Sequence, residues 1–345
     1  MFYLFISGME LSKVPGLSAA GANPEAVPLT APADSDVVQF GFPRVIDFFP
    51  MDPQGHPSPA IITRAAALEA NIPVCVIRAG SYIPPGPPYV ETGAAFGLDP
   101  RFGKAVPEAL EVFEMSAHLA QNLERENRPI MIAETVPGGT TSALLVLRAL
   151  GYDGEMVSSA GPRNPIDLKE QIWEEVRARL GDNLAALADD PINAVAELGD
   201  PMQASVLGFL TGLSETCPGE ARRAVTLAGG TQMLAVAALY RRYRELNPGG
   251  LGVDLDIATT CYVAADPSSS FSSLAAKLGL PASVARLDFS ASPHKGLRDY
   301  EEGFVKEGVG AGGAVVYAER MGVPVERIIE RTNALYSEFC GKSEN

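Results

Sequence analysis

The chain has 345 residues, 46% of them hydrophobic and 20% charged, enough to bury a large core without disulfide or metal staples. Its formal net charge is −15, from 27 basic and 42 acidic residues. That balance repels nucleic acid and anionic lipid and excludes both as expected partners, so a phosphate-bearing ligand has to be held locally, by backbone N–H groups or a few placed cations.

Cys75, Cys217, Cys261 and Cys340 show no CxxC spacing and read as reduced thiols of a cytoplasmic protein. His56, His118 and His294 lack metal-ligand spacing, so no metal and no cofactor is expected. The apolar start, Met1-Phe-Tyr-Leu-Phe-Ile, is too short for a signal peptide and reads as a buried strand. No stretch reaches the ~20 apolar residues of a membrane helix.

In chain order, Val74–Ile77 reads as a strand. Pro and Gly crowd residues 80–105, including Pro84-Pro85-Gly86-Pro87-Pro88, and predict a long ordered loop. Apolar residues at helical spacing predict a helix over 107–127, followed by a strand at Ile130–Ala133 and a helix from Thr141 to Leu150, stopped by Gly151. Residues 165–213 read as mainly helical. Further strands are expected at Ala224–Ala228, Asp256–Thr260 and Val284–Asp288, with helices over 233–246 and 324–339. Strands alternating with helices predict an α/β fold: a doubly wound, mostly parallel sheet with helices on both faces. The whole chain, 1–345, reads as one domain, with residues 1–35 and 321–345 as possible peripheral elements. Ligands in such folds bind where loops leave the carboxyl ends of strands, which selects the loops to inspect.

Three Gly-rich loops stand out. Glu134-Thr135-Val136-Pro137-Gly138-Gly139-Thr140-Thr141 runs from strand to helix, and its glycines let backbone N–H groups and a helix N-terminus approach a phosphate. Gly229-Gly230-Thr231-Gln232 repeats that arrangement. In Lys306-Glu307-Gly308-Val309-Gly310-Ala311-Gly312-Gly313 a glutamate sits among four glycines, a setting in which an enclosed carboxylate can be poised to accept a proton. Ser290 and Ser292, at another strand end, offer hydroxyls to a phosphate or carboxylate, with His294 and Lys295 as nearby cations. Ser158-Ser159 is a similar polar strand end. Plain turns and helix caps would use many of the same residues.

The strings SAAGANPE, PSPAIITRAA, ETVPGGTTSALLVLRALGYD, LAGGTQMLAV, LDFSAS and YEEGFVKEGVGAGGA resemble the archaeal and cyanobacterial branch of the nicotinate-nucleotide:dimethylbenzimidazole phosphoribosyltransferase family. The resemblance spans about Ser7 to Arg320. It implies a doubly wound sheet, a small helical subdomain from the termini and a homodimer. It also implies transfer of ribose phosphate from nicotinate mononucleotide to an aromatic base, for the lower ligand of a cobamide. By context, Glu307 corresponds to the family's catalytic glutamate and Glu134 to the glutamate that opens its Gly-rich loop. Where bacterial members carry Asp-His-Gly after the second strand, Arg78-Ala79-Gly80 stands here. Residues 80–105 and 40–64 are the expected walls of the base slot. Two other readings compete: a transferase using phosphoribosyl pyrophosphate, which would call for Mg²⁺, and a non-catalytic nucleotide or base carrier of the same fold.

Overall fold

The computed structural model describes residues 1–124, 128–152, 161–216, 222–249 and 251–343. Seven parallel strands form one sheet in the order β3-β2-β1-β4-β5-β6-β7. They are β1 (Phe2–Ile6), β2 (Val74–Arg78), β3 (Val90–Glu91), β4 (Ile130–Thr135), β5 (Arg223–Ala228), β6 (Val253–Thr260) and β7 (Ala282–Ala285). The strand order reverses between β1 and β4: β2 and β3 extend the sheet one way, β5 to β7 the other. Crossover loops diverge at such a reversal and leave a crevice at the carboxyl ends of the two strands.

Side-chain alternation divides the core in two. Tyr3, Phe5, Ile130, Ile132, Val225 and Leu227 face one layer of helices: α3 (Ala109–Leu123), α4 (Gly139–Ala149), α5 (Ile166–Leu180), α6 (Pro191–Leu198), α7 (Pro201–Glu215) and α8 (Thr231–Leu246). Phe2, Leu4, Met131, Ala133, Ala228 and Ala258 face the other: α1 (Thr30–Phe40), α2 (Ala60–Glu69), α12 (Ala311–Arg320) and α13 (Val325–Ser343). Three short helices, α9 (Cys261–Ala264), α10 (Phe271–Lys277) and α11 (Lys295–Arg298), lie in the connections around β7. Every residue of β1 is buried, as both its neighbours and both helix layers require.

Several expected elements change at their edges. β7 stops at Ala285 rather than Asp288, because its pairing with β6 ends at Thr260. The chain then turns, and the Phe289 amide donates to Glu301. The expected loop over 80–105 contains the two-residue edge strand β3. Residues 1–35 contribute β1 to the middle of the sheet, and the C-terminal segment contributes α13, which packs on α2. Among the described residues, Cys75, Cys261 and Cys340 are free thiols, and no helix is long and apolar enough to cross a membrane.

Candidate active site

A cleft opens at the β1–β4 reversal, lined by residues from Leu17–Gly21, α1, Met51–Pro59, the Glu134–Thr140 turn, Gly230, Gln232 and Val305–Val309. Two helices begin on it without side-chain caps. Gly138, the N-cap of α4, takes a left-handed φ of 77° that an L side chain resists, and Gly230 is the N-cap of α8. The positive ends of the two helix dipoles, with no side-chain cap on either, make this end of the cleft suited to a phosphate.

Glu134, next to last in β4, lies on the face that carries α4 and α8. It is 2% exposed, and burial, then the nearby carboxylates of Asp200 and Glu307, push its pKa up to about 8. Glu307 reaches the cleft from the loop before α12. Its Oε2 accepts from the Thr260 amide at 2.8 Å and from Thr259 Oγ1 at 3.1 Å. Its Oε1 accepts from the amides of Gly308 at 3.1 Å and Gly312 at 3.3 Å. These donors favour the anion, yet burial outweighs them and holds the pKa above the ordinary glutamate range. The loop is tied to the sheet, since the Val309 amide donates to the Glu134 carbonyl at 3.0 Å and Thr63 Oγ1 to the Val309 carbonyl at 2.9 Å. A carboxylate fixed at four points, with a raised proton affinity, has the chemistry to accept a proton from a ligand.

The lysine of the cleft is already paired. Lys306 Nζ donates to Asp266 at 2.7 Å. His56 lies between Asp52, 2.6 Å from Nδ1, and Asp299, 2.9 Å from Nε2. A phosphate in this cleft would therefore have to be held by backbone amides. Two cleft-lining oxygens, Asp34 Oδ1 and Gln232 Oε1, are buried without a hydrogen-bond partner. Among the described residues, no three His, Cys, Asp or Glu side chains converge in a way that could hold a metal ion.

Of the residues singled out from sequence, Glu134, Gly138, Gly139, Thr140, Gly230, Gln232, Lys306 and Glu307 converge on this cleft. Thr141, Gly229 and Thr231 stand behind it, buried in the turns that shape it. Ser158 and Ser159 lie outside the described residues. Ser290 and Ser292 do not line the cleft. β7 is the edge strand, remote in sheet order from the reversal, and the chain after it packs on α13, where Ser292 Oγ bonds Asn333 Oδ1 at 2.5 Å. His294 bonds Ser337, and Lys295 pairs with Asp299. Of the two expected base walls, 40–64 contributes Met51, Asp52, His56, Ser58 and Pro59, whereas no residue of 80–105 lines the cleft. Asp34 and the Leu17–Gly21 loop were not singled out for chemistry, although SAAGANPE overlaps that loop.

The pKa of Glu134 has a consequence for stability. In the unfolded chain it loses its proton near 4.5, in the fold near 8. Between those values unfolding releases a proton, so its contribution to stability is full below pH 4.5 and is lost as pH rises to 8. Glu134→Gln removes this dependence. Its melting temperature relative to the unsubstituted protein is expected to rise between pH 5 and pH 8, by an amount equivalent to a few kcal/mol. A thermal-melt series giving a constant difference across that range would contradict the assignment.

No protein-family model matches the chain. It is 44% identical over 343 residues to UPF0284 protein PF0303 of Pyrococcus furiosus, an alignment covering 98% of each chain. It is 44% identical over 345 residues to UPF0284 protein TK0853 of Thermococcus kodakarensis, covering 99% of this chain and 98% of that one. A UPF0284 protein of Methanothermobacter thermautotrophicus is 37% identical over 340 residues, 97% of this chain and 92% of its own. Among solved structures, the nicotinate-nucleotide-dimethylbenzimidazole phosphoribosyltransferase of Thermus thermophilus superposes with a TM-score of 0.59 at 18% identity, over 95% of this chain and 82% of that one. A structure of CobT from the same organism gives 0.57, also at 18% identity, over 95% and 83%. At that identity the likeness is one of fold.

Proposed function

The chain belongs to the UPF0284 family, and we propose that it transfers ribose phosphate from nicotinate mononucleotide to an aromatic nitrogen base, giving an α-riboside phosphate and nicotinate for a cobamide lower ligand. The observation that carries this reading is Glu307, half-buried and held by four donors, in one cleft with Glu134 and two helix N-termini without side-chain caps. The shared fold with the Thermus enzyme supports it.

The phosphate is held at the N-termini of α4 and α8 by backbone amides. The ring N–H of the incoming base gives its proton to Glu307, and the nitrogen lone pair forms the new bond to C1′ from the face opposite the leaving group. The old C1′–N bond breaks with its electron pair moving onto the pyridinium nitrogen, so nicotinate leaves without the positive ring charge. Glu134, on the other side of the β4 end, supports the cationic ribose when ionised. Holding both substrates in line supplies much of the remaining acceleration.

The test is nicotinate release and formation of the base riboside phosphate from nicotinate mononucleotide and a panel of bases, followed chromatographically. Turnover is expected to rise with pH along an acid limb whose apparent pKa lies above the ~4.3 of an unperturbed glutamate, because Glu307 acts ionised. Phosphoribosyl pyrophosphate with Mg²⁺ is expected to give no product; Mg²⁺-dependent transfer from it alone would overturn the donor assignment. Tight nicotinate mononucleotide binding with no nicotinate release from any base would favour the carrier reading.

A further inference from the structure

Asp34 is a buried acid that the transfer chemistry above does not use. It stands on α1, is 3% exposed and lines the cleft. Its Oδ2 accepts from Thr135 Oγ1 at 2.9 Å. The Ser58 hydroxyl lies close enough to favour its ionised form, yet Oδ1 has no hydrogen-bond partner. A buried acceptor left unpaired is costly, and Asp34 is among the residues that line the cleft.

The sheet fixes which end of a ligand Asp34 meets. Along β4, Glu134 follows Ile130 and Ile132 to the α4–α8 face, where the two helix N-termini receive the phosphate. Thr135 follows Met131 and Ala133 to the opposite face, where α1 packs, and it bonds Asp34 there. Asp34 and the phosphate cradle thus flank the top of one strand from opposite sides. In the proposed reaction, a nucleotide anchored by its phosphate on one side would present C1′ above the strand end and leave the side of Asp34 to the incoming base.

We infer that Asp34 reads the acceptor: its free oxygen takes a hydrogen bond from a second N–H group on the incoming heterocycle, such as an exocyclic amine. The inference rests on the proposed transfer reaction and narrows its acceptor class. A base whose single N–H is surrendered to Glu307 leaves Asp34 Oδ1 unpaired, whereas an amino-substituted base satisfies both acids. Burial raises Asp34 to about 7, so near neutrality its ionised form is present without dominating the cleft.

The experiment compares adenine with purine, which lacks only the amino group, using nicotinate mononucleotide and the full chain. The unsubstituted protein is expected to favour adenine in kcat/KM by about tenfold or more, as sites built around a substrate N–H do. In Asp34→Ala the ratio is expected to fall to about one, because adenine loses its advantage over purine. Asp34→Asn keeps the volume and, with its oxygen bonded to Thr135, turns a donor toward the cleft; it is expected to disfavour adenine. Equal use of both bases by the unsubstituted protein overturns the inference. So does an equal loss on both bases in both variants, which marks a structural or ribose-binding role. If no base is turned over, the transfer reading fails, and calorimetric binding of the two bases decides the matter separately: tighter adenine binding that Asp34→Ala abolishes sustains the role of Asp34, and indifference refutes it.

Discussion

Glu307→Gln is expected to lower kcat by roughly 100-fold or more while leaving the KM for nicotinate mononucleotide nearly unchanged, the signature of losing a general base rather than a binding group. The substitution has a structural side effect of known direction. Each carboxylate oxygen of Glu307 faces two donors, and the amide nitrogen of glutamine would point its own hydrogens at one of those pairs. Loss of the buried charge offsets that conflict in part, so a modest change in melting temperature is expected without loss of the fold. A second variant separates chemistry from structure. Glu307→Ala leaves a space beside the same donors, and added formate is expected to restore part of the lost rate by supplying a carboxylate there. A purified, folded Gln variant with unchanged turnover, or an Ala variant indifferent to formate, would remove Glu307 from the mechanism.

Gly312→Ala is expected to have the largest effect on stability. An added Cβ would lie 2.1 Å from the Thr259 carbonyl carbon and 2.3 Å from the Thr260 nitrogen. These are backbone atoms of β6, held in register with β5 and β7, so the clash cannot be relieved by a rotamer change. The start of α12 has to lift off the sheet, at a cost of about 3 kcal/mol or more. The same movement withdraws the Gly312 amide from Glu307 and disturbs the acid beside the cleft. Denaturant unfolding is expected to show the loss, with kcat falling in whatever fraction remains folded. Gly103→Ala is the control, because nothing lies within 4 Å of its added Cβ. Equal stability of the two variants would show that α12 does not need the close approach.

Much of this site is legible in the sequence because its chemistry sits in glycine turns. Glu134 with Gly138-Gly139, and Glu307 among its glycines, declare close backbone approach, and an all-buried β1 is plain in Phe2–Ile6. Asp34 is not legible for a physical reason. Asp34, Ser35 and Asp36 are all buried in α1, so the helix shows no polar outer stripe, and partners that make the burial of the two acids tolerable come from far along the chain: Thr135 for Asp34 and the Gly86 amide for Asp36. Ser292 fails in the opposite direction. It follows a strand, as a binding residue should, but that strand is at the sheet edge, and only the strand order reveals how far the edge lies from the reversal between β1 and β4.

The position of β1 also bears on how the chain comes together during synthesis. One neighbour of β1, β2, follows after residues 7–73, but the other, β4, follows only after residues 7–129. At cellular rates of translation the apolar ribbon Phe2–Ile6 waits on the order of 10 s with one edge open. A strand that is buried along its whole length is thus also the one whose second edge stays open longest during synthesis.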